Sequence, residues 1–191
     1  MKDLFWIFVS SMLVNNFTLT LFLGLCAFFG ISNKIDTAIR MGAADTFVLV
    51  MTAIVVWLLN HFVLGHAPYL QLIAFIVTIA ALVQMVEMLI KKTSPALFRA
   101  MGIYLPLITT NCAILALAVF ETSRAYTLAE CIVFALGSGL GLTLALILMA
   151  SIREHLEVAD IPALAKGMGI VLVVAGSLSL AFMGFAGLFS S

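Results

Sequence analysis

Charge is the scarcest property of this chain. Nine Lys and Arg and nine Asp and Glu make up only 9% of 191 residues, whereas a soluble globular domain carries roughly a quarter. An ordinary water-soluble fold is thereby excluded. Proline occurs four times and cysteine three times, with no cysteine in a polar loop, so a disulfide framework is not indicated. No nucleophile arrangement, phosphate loop or dinucleotide fingerprint is present, and no independent catalytic activity is expected. Apolar residues run continuously instead of alternating with period two, which excludes a porin-like barrel. The net charge of zero carries no information about partners.

What the chain does have is hydrophobic length. It is 64% hydrophobic, with a mean hydropathy of +1.26. Apolar runs near 4–31, 41–60, 69–90, 100–120, 127–150 and 167–189 each suit the roughly 20 residues that a helix needs to cross about 30 Å of hydrocarbon. An all-α membrane protein of six transmembrane helices is expected, as a single integral-membrane domain over 1–191. Lys2 followed by apolar residues looks like a signal sequence, but no small-residue cleavage site follows, so this run is expected to be a retained span. Lys34, Arg40, Lys91, Lys92, Arg99, Arg153 and Lys166 follow the odd-numbered spans, and only Lys2 and Arg124 lie on the other side. The positive-inside rule then puts both termini outside.

Cys26 and Cys112 sit in similar apolar settings on opposite halves, 86 positions apart, close to half the chain. That offset divides the spans into two groups of three, about 1–92 and 93–191. Because three is odd, the second group is inverted relative to the first, an arrangement that places functional sites at the midplane where interrupted helices meet. The first and fourth spans are the irregular ones. Asn15 and Asn16 interrupt the first, and Gly24 and Gly30 bracket its cysteine; Gly102, Pro106 and Thr109-Thr110-Asn111 interrupt the fourth. Proline removes a backbone hydrogen bond, and Thr and Asn can re-satisfy the freed groups.

A lone cysteine in an apolar helix is usually a small buried hydrophobe, and Cys131 is read that way. The matched pair is different. Soft thiolates favour Fe–S clusters, Zn and Cu(I), and a 2Fe–2S cluster usually takes four cysteines. One chain supplies two, so a cluster requires a second chain. A straight first helix would put Cys26 near the cytoplasmic face, far from the depth of Cys112. The pairing therefore predicts that the first span bends around Gly24–Gly30. Of the acidic residues, Asp45 and Glu87 are candidates for ion handling, with an interfacial pair to Lys91 as the plainer reading of Glu87. Glu121 and Glu130 are expected near the outer boundary, solvated. Gly137, Gly139 and Gly141 are expected to allow close helix packing.

The segments Leu13-Val-Asn-Asn-Phe17, Phe22-Leu-Gly-Leu-Cys-Ala-Phe28, Lys92-Thr-Ser-Pro-Ala-Leu-Phe98 and Gly102-Ile-Tyr-Leu-Pro-Leu-Ile-Thr-Thr-Asn-Cys-Ala113 resemble the family of membrane subunits that comprises RnfA, RnfE, NqrD and NqrE. The resemblance runs over the whole chain, through Leu180-Ala-Phe-Met-Gly-Phe-Ala-Gly187. Within the family it is greatest to the A-type Rnf branch, with the E-type Nqr branch next. Ala27 stands where relatives often have proline, and Asp45 is acidic where no acid is expected.

The resemblance implies a six-span subunit of a bacterial inner-membrane complex that moves electrons between NADH and ferredoxin and couples them to Na⁺ or H⁺ translocation. It implies pairing with an inverted paralogue, RnfE, and a 2Fe–2S cluster shared between the two, with Cys26 and Cys112 as this chain's ligands. Other subunits of the complex would carry flavin and Fe–S centres. The alternative within the family is a subunit of a Na⁺-translocating NADH:quinone reductase. From the residues alone two other classes stay open: a small secondary transporter, and a structural anchor with inert cysteines.

Overall fold

The computed structural model describes residues 2–14, 16–21, 23–24, 26, 30, 35–62, 70–93, 111–158 and 168–188. Among them the secondary structure is wholly helical. The first apolar run is not one helix. It forms α1 (Lys2–Val9), a π-helical turn (Ser10–Val14) and a short α2 (Phe17–Thr20). The break coincides with polar residues that rebind the backbone locally: Ser11 Oγ donates to the Phe8 carbonyl at 3.0 Å and Thr20 Oγ1 to that of Asn16 at 2.7 Å. Asn16 Nδ2 reaches across to the Gly141 carbonyl at 2.9 Å in a buried interhelical bond.

Two long helices form the centre, α3 (Ile35–Phe62) and, later in the chain, Leu128–Val158. Between them come α4 (Gln71–Thr93) and α5 (Cys112–Ser123), so that the second long helix is α6, and α7 (Met168–Leu188) ends the described chain. Along α3 the buried positions Ala38, Met41, Gly42, Asp45, Val48, Leu49, Thr52, Ala53 and Val56 follow the i, i+3, i+4 stripe of one helix face. Outside that stripe Phe47, Met51 and Leu58 are exposed, which is the pattern of a helix set in lipid. By length and composition α3, α4 and α6 can cross a membrane, over Ile35–Phe62, Gln71–Met88 and Leu128–Leu156; shorter apolar helical stretches lie at Leu4–Leu13, Cys112–Ser123 and Gly169–Gly184.

Glycines set how closely the centre packs. A β-carbon at Gly139 would lie 2.9 Å from Thr46 Cα, one at Gly141 2.8 Å from the Met12 carbonyl oxygen, and one at Gly137 would strike Ser11 Oγ. Thr143 likewise fills the space beside Gly42. The pairs 42–143 and 46–139 run in opposite senses, so α3 and α6 are antiparallel. Two apolar clusters result: α3, α4 and α5 pack with the first part of α6 around Phe75, Leu117 and Phe134, and α2 and α7 pack with its second part around Leu19, Leu146 and Met149.

Candidate functional site

α5 begins at a cysteine. Asn111 caps it from extended backbone (φ −71°, ψ 111°), its side-chain oxygen accepting the Ala113 N–H at 3.1 Å while its carbonyl takes the Ile114 N–H. Asn is a preferred residue there because its short side chain reaches the otherwise unpaired N–H groups of the first turn. The cap fixes where Cys112 points. Its Sγ accepts the Gly24 N–H at 2.8 Å, and Gly24 holds φ +86°, a left-handed conformation natural to glycine. A β-carbon on Gly24 would come within 3.3 Å of Asn111 Oδ1 and 3.7 Å of Leu142 Cδ1. Leu142 is near the midpoint of the 31-residue α6, so the contact is made halfway along that helix.

The first span is interrupted, but most of the Gly24–Gly30 stretch where the bend was expected lies outside the described residues, and only the turn at Gly24 is seen there. The helix breaks at Ser10–Val14, α2 ends at Thr20, and the turn at Gly24 carries the chain to Cys112 two residues before Cys26. The expected break in the fourth span falls on 101–110, outside the described residues; at its edge the chain enters α5 at Asn111. Cys26 is exposed, Cys112 half-buried and Cys131 buried, and none of the three is in a disulfide. Among the described residues no group of three or more His, Cys, Asp or Glu gathers as a metal site. The two thiols would fit a cluster as a half-site: one sulfur is placed by a backbone N–H at the start of a helix, the other is on the surface, and the remaining ligands would come from another chain.

The acids divide differently from the expectation. Asp45 is completely buried on α3 with the Asn111 side chain nearby, yet neither carboxylate oxygen, nor Asn111 Nδ2, has a hydrogen-bond partner. Glu87 is half-buried near the end of α4. Glu121, expected to be solvated, is only 4% exposed and also has both oxygens unpartnered. The reason is its place on the buried stripe of α5, after Ile114, Leu117 and Ala118. That spacing was the available signal, and the neighbouring Thr122-Ser123-Arg124 obscured it. Glu130 accepts from the Thr127 N–H and Oγ1, at 2.9 and 2.8 Å, in an exposed first turn.

Long apolar helices with two buried carboxylates among them define an integral-membrane protein with polar groups held inside its helix bundle. Its sequence matches the family described as Rnf-Nqr subunit, membrane protein, over residues 4–189. The chain belongs to that family. It is 53% identical over 190 residues to the A-type subunit of the ion-translocating oxidoreductase complex of Syntrophotalea carbinolica, with 98% of each chain covered. It is 50% identical to the protein of that name from Psychromonas ingrahamii over 98% of this chain and 99% of the relative, and 47% identical to that from Sodalis glossinidius over 98% of each.

Proposed function

We propose that this chain is the A-type membrane subunit of an Rnf-type complex, which transfers electrons between NADH and ferredoxin and couples them to Na⁺ or H⁺ translocation across the bacterial inner membrane. Cys26 and Cys112 are its two ligands to a 2Fe–2S cluster completed by an RnfE-like inverted paralogue. The observation that carries this reading is the Gly24 N–H donated to Cys112 Sγ at 2.8 Å, which joins the two halves of the chain at a sulfur. When bound, the cluster supplies a one-electron relay at mid-depth, dividing one long transfer into two shorter ones. The chain's own residues do the rest: Asn111 orients the first turn of α5, the turn at Gly24 supplies a hydrogen bond that stabilises negative charge on sulfur, and Cys26 lies on the exposed surface.

The order of elements supports the inverted-repeat reading. A broken or short helix, a long helix and an outer helix occur in that order twice, as α1, α2, α3, α4 and as α5, α6, α7. The corresponding long helices run antiparallel, as inversion requires. We read the repeats as 1–92 and 93–191 of one six-span domain, with both termini outside. The test is electron paramagnetic resonance with iron quantification on the dithionite-reduced complex, comparing wild type with Cys26→Ser and Cys112→Ser. One 2Fe–2S signal is lost in each variant while the complex stays assembled. Unchanged spectra and turnover in both would make the cysteines packing residues.

A further inference from the structure

Helices α3 and α5 run parallel: Asn111, before α5, lies near Asp45 of α3, and Glu121 and Thr122 at the other end of α5 line one cavity with Val56, Trp57 and Asn60. Glu121 lies nine residues after Cys112, about 14 Å along the helix. A cavity of about 170 Å³ opens beside it, lined by Trp57, Asn60, His61, Glu121, Tyr126 and Cys131 among others. We propose that this cavity is a binding site for one partly dehydrated sodium ion, with the Glu121 carboxylate as its charged ligand.

The case rests on what surrounds the carboxylate. Both Glu121 oxygens are buried and without a hydrogen-bond partner, a costly state for a group taken out of water. The cation on the next turn is committed elsewhere: the Arg124 guanidinium is bonded to the Tyr126 hydroxyl at 2.9 Å and sits over the Phe120 ring, 5.8 Å from its centre. The ion pair found among the described residues, Asp36–Arg40, lies at the opposite end of α3. A proton on Glu121 would leave one O–H and one C=O still unpaired, whereas a cation with its waters meets both oxygens at once. Room for several waters is available, and the amide of Asn60 offers a further oxygen. One carboxylate balances one charge. A calcium ion would instead need six to eight oxygens and leave net positive charge in a low-dielectric layer.

This deepens the ion-translocating role proposed above and rests on it. The test is equilibrium dialysis of radioactive sodium against the purified complex in nanodiscs, using wild type, Glu121→Gln, Asn60→Leu and Cys112→Ser. Glu121→Gln is expected to weaken one sodium site by about tenfold or more, as loss of a charged ligand requires, and Asn60→Leu weakens the same site by a smaller factor. Equal affinity and stoichiometry in wild type and Glu121→Gln overturn the proposal. If Glu121→Gln does not assemble, Asn60→Leu decides: sodium binding identical to wild type overturns it. Cys112→Ser separates the two readings, because it removes the 2Fe–2S signal and leaves this sodium site in place. Sodium loss in Glu121→Gln beside an unaltered signal in Cys112→Ser would sustain the pocket and refute the electron-transfer role.

Discussion

Replacing Gly24 by alanine tests the link between backbone conformation and the sulfur of Cys112. Space is not the main obstacle, since the new methyl would meet Asn111 Oδ1 at 3.3 Å, Ala113 Cβ at 3.5 Å and Leu142 Cδ1 at 3.7 Å, of which only the first is tight. Conformation is: at φ +86° an L-residue is disfavoured by about 1–2 kcal/mol. Relaxing toward negative φ turns the N–H away from Cys112 Sγ, 2.8 Å away in the native turn. A hydrogen bond to a sulfur stabilises the more negative, reduced state. If its loss removes about 1 kcal/mol of differential stabilisation, a one-electron midpoint potential falls by about 40 mV. Redox titration of the proposed 2Fe–2S cluster in the assembled complex, with the thermal midpoint measured alongside, should show both values decrease. A thermal midpoint that drops while the potential stays where it was would refute the argument, because the strain would then be real and the hydrogen bond irrelevant to the cluster.

Gly139→Ala places a methyl 2.7 Å from Thr46 Cγ2 and 2.9 Å from Thr46 Cα, so α3 and α6 must separate; overpacking of this kind costs about 1–3 kcal/mol. The thermal midpoint of the solubilised complex should fall, and an unchanged value would mean that the two helices are not in backbone contact. At the end of α5 the Ala125 N–H bonds the Thr122 carbonyl at 3.3 Å and the Tyr126 N–H that of Glu121 at 3.4 Å, a glycine-type helix stop formed here by an alanine at φ 49°. Ala125→Gly should stabilise the protein by about 1 kcal/mol, and a lower midpoint on thermal unfolding would contradict that assignment.

Hydrophobic length made the long helices legible, because a run that needs no polar face gives the same signal wherever it packs. Asn16 marked the break in the first span and Asn111 the interruption at whose edge α5 begins, since an asparagine side chain can hydrogen-bond backbone outside the regular helical ladder. Gly137, Gly139 and Gly141 were also readable as close-packing positions. The contact between Gly24 and Cys112 was legible only as a requirement for some bend, because positive φ and a bond spanning 88 positions depend on tertiary structure. Glu121 was misread for a related reason. In a chain that is apolar on every side, burial follows from which face meets a neighbouring helix, and hydropathy cannot distinguish that face from the one that meets lipid.

The three glycines of α6 also determine how that helix can be turned. Gly137 and Gly141 lie one helical turn apart and face the first span, while Gly139, between them in sequence, faces α3. At this level α6 is therefore a narrow waist gripped from two directions, and the outward position between the grips belongs to Leu140, which is exposed. Rotation by a single residue, about 100°, would drive Leu140 or a neighbouring side chain into a slot that admits only hydrogen. The segment acts as a keyed shaft: it holds the rotational register of α6 against two neighbours at once, and with it the place of Leu142 beside the turn that meets Cys112.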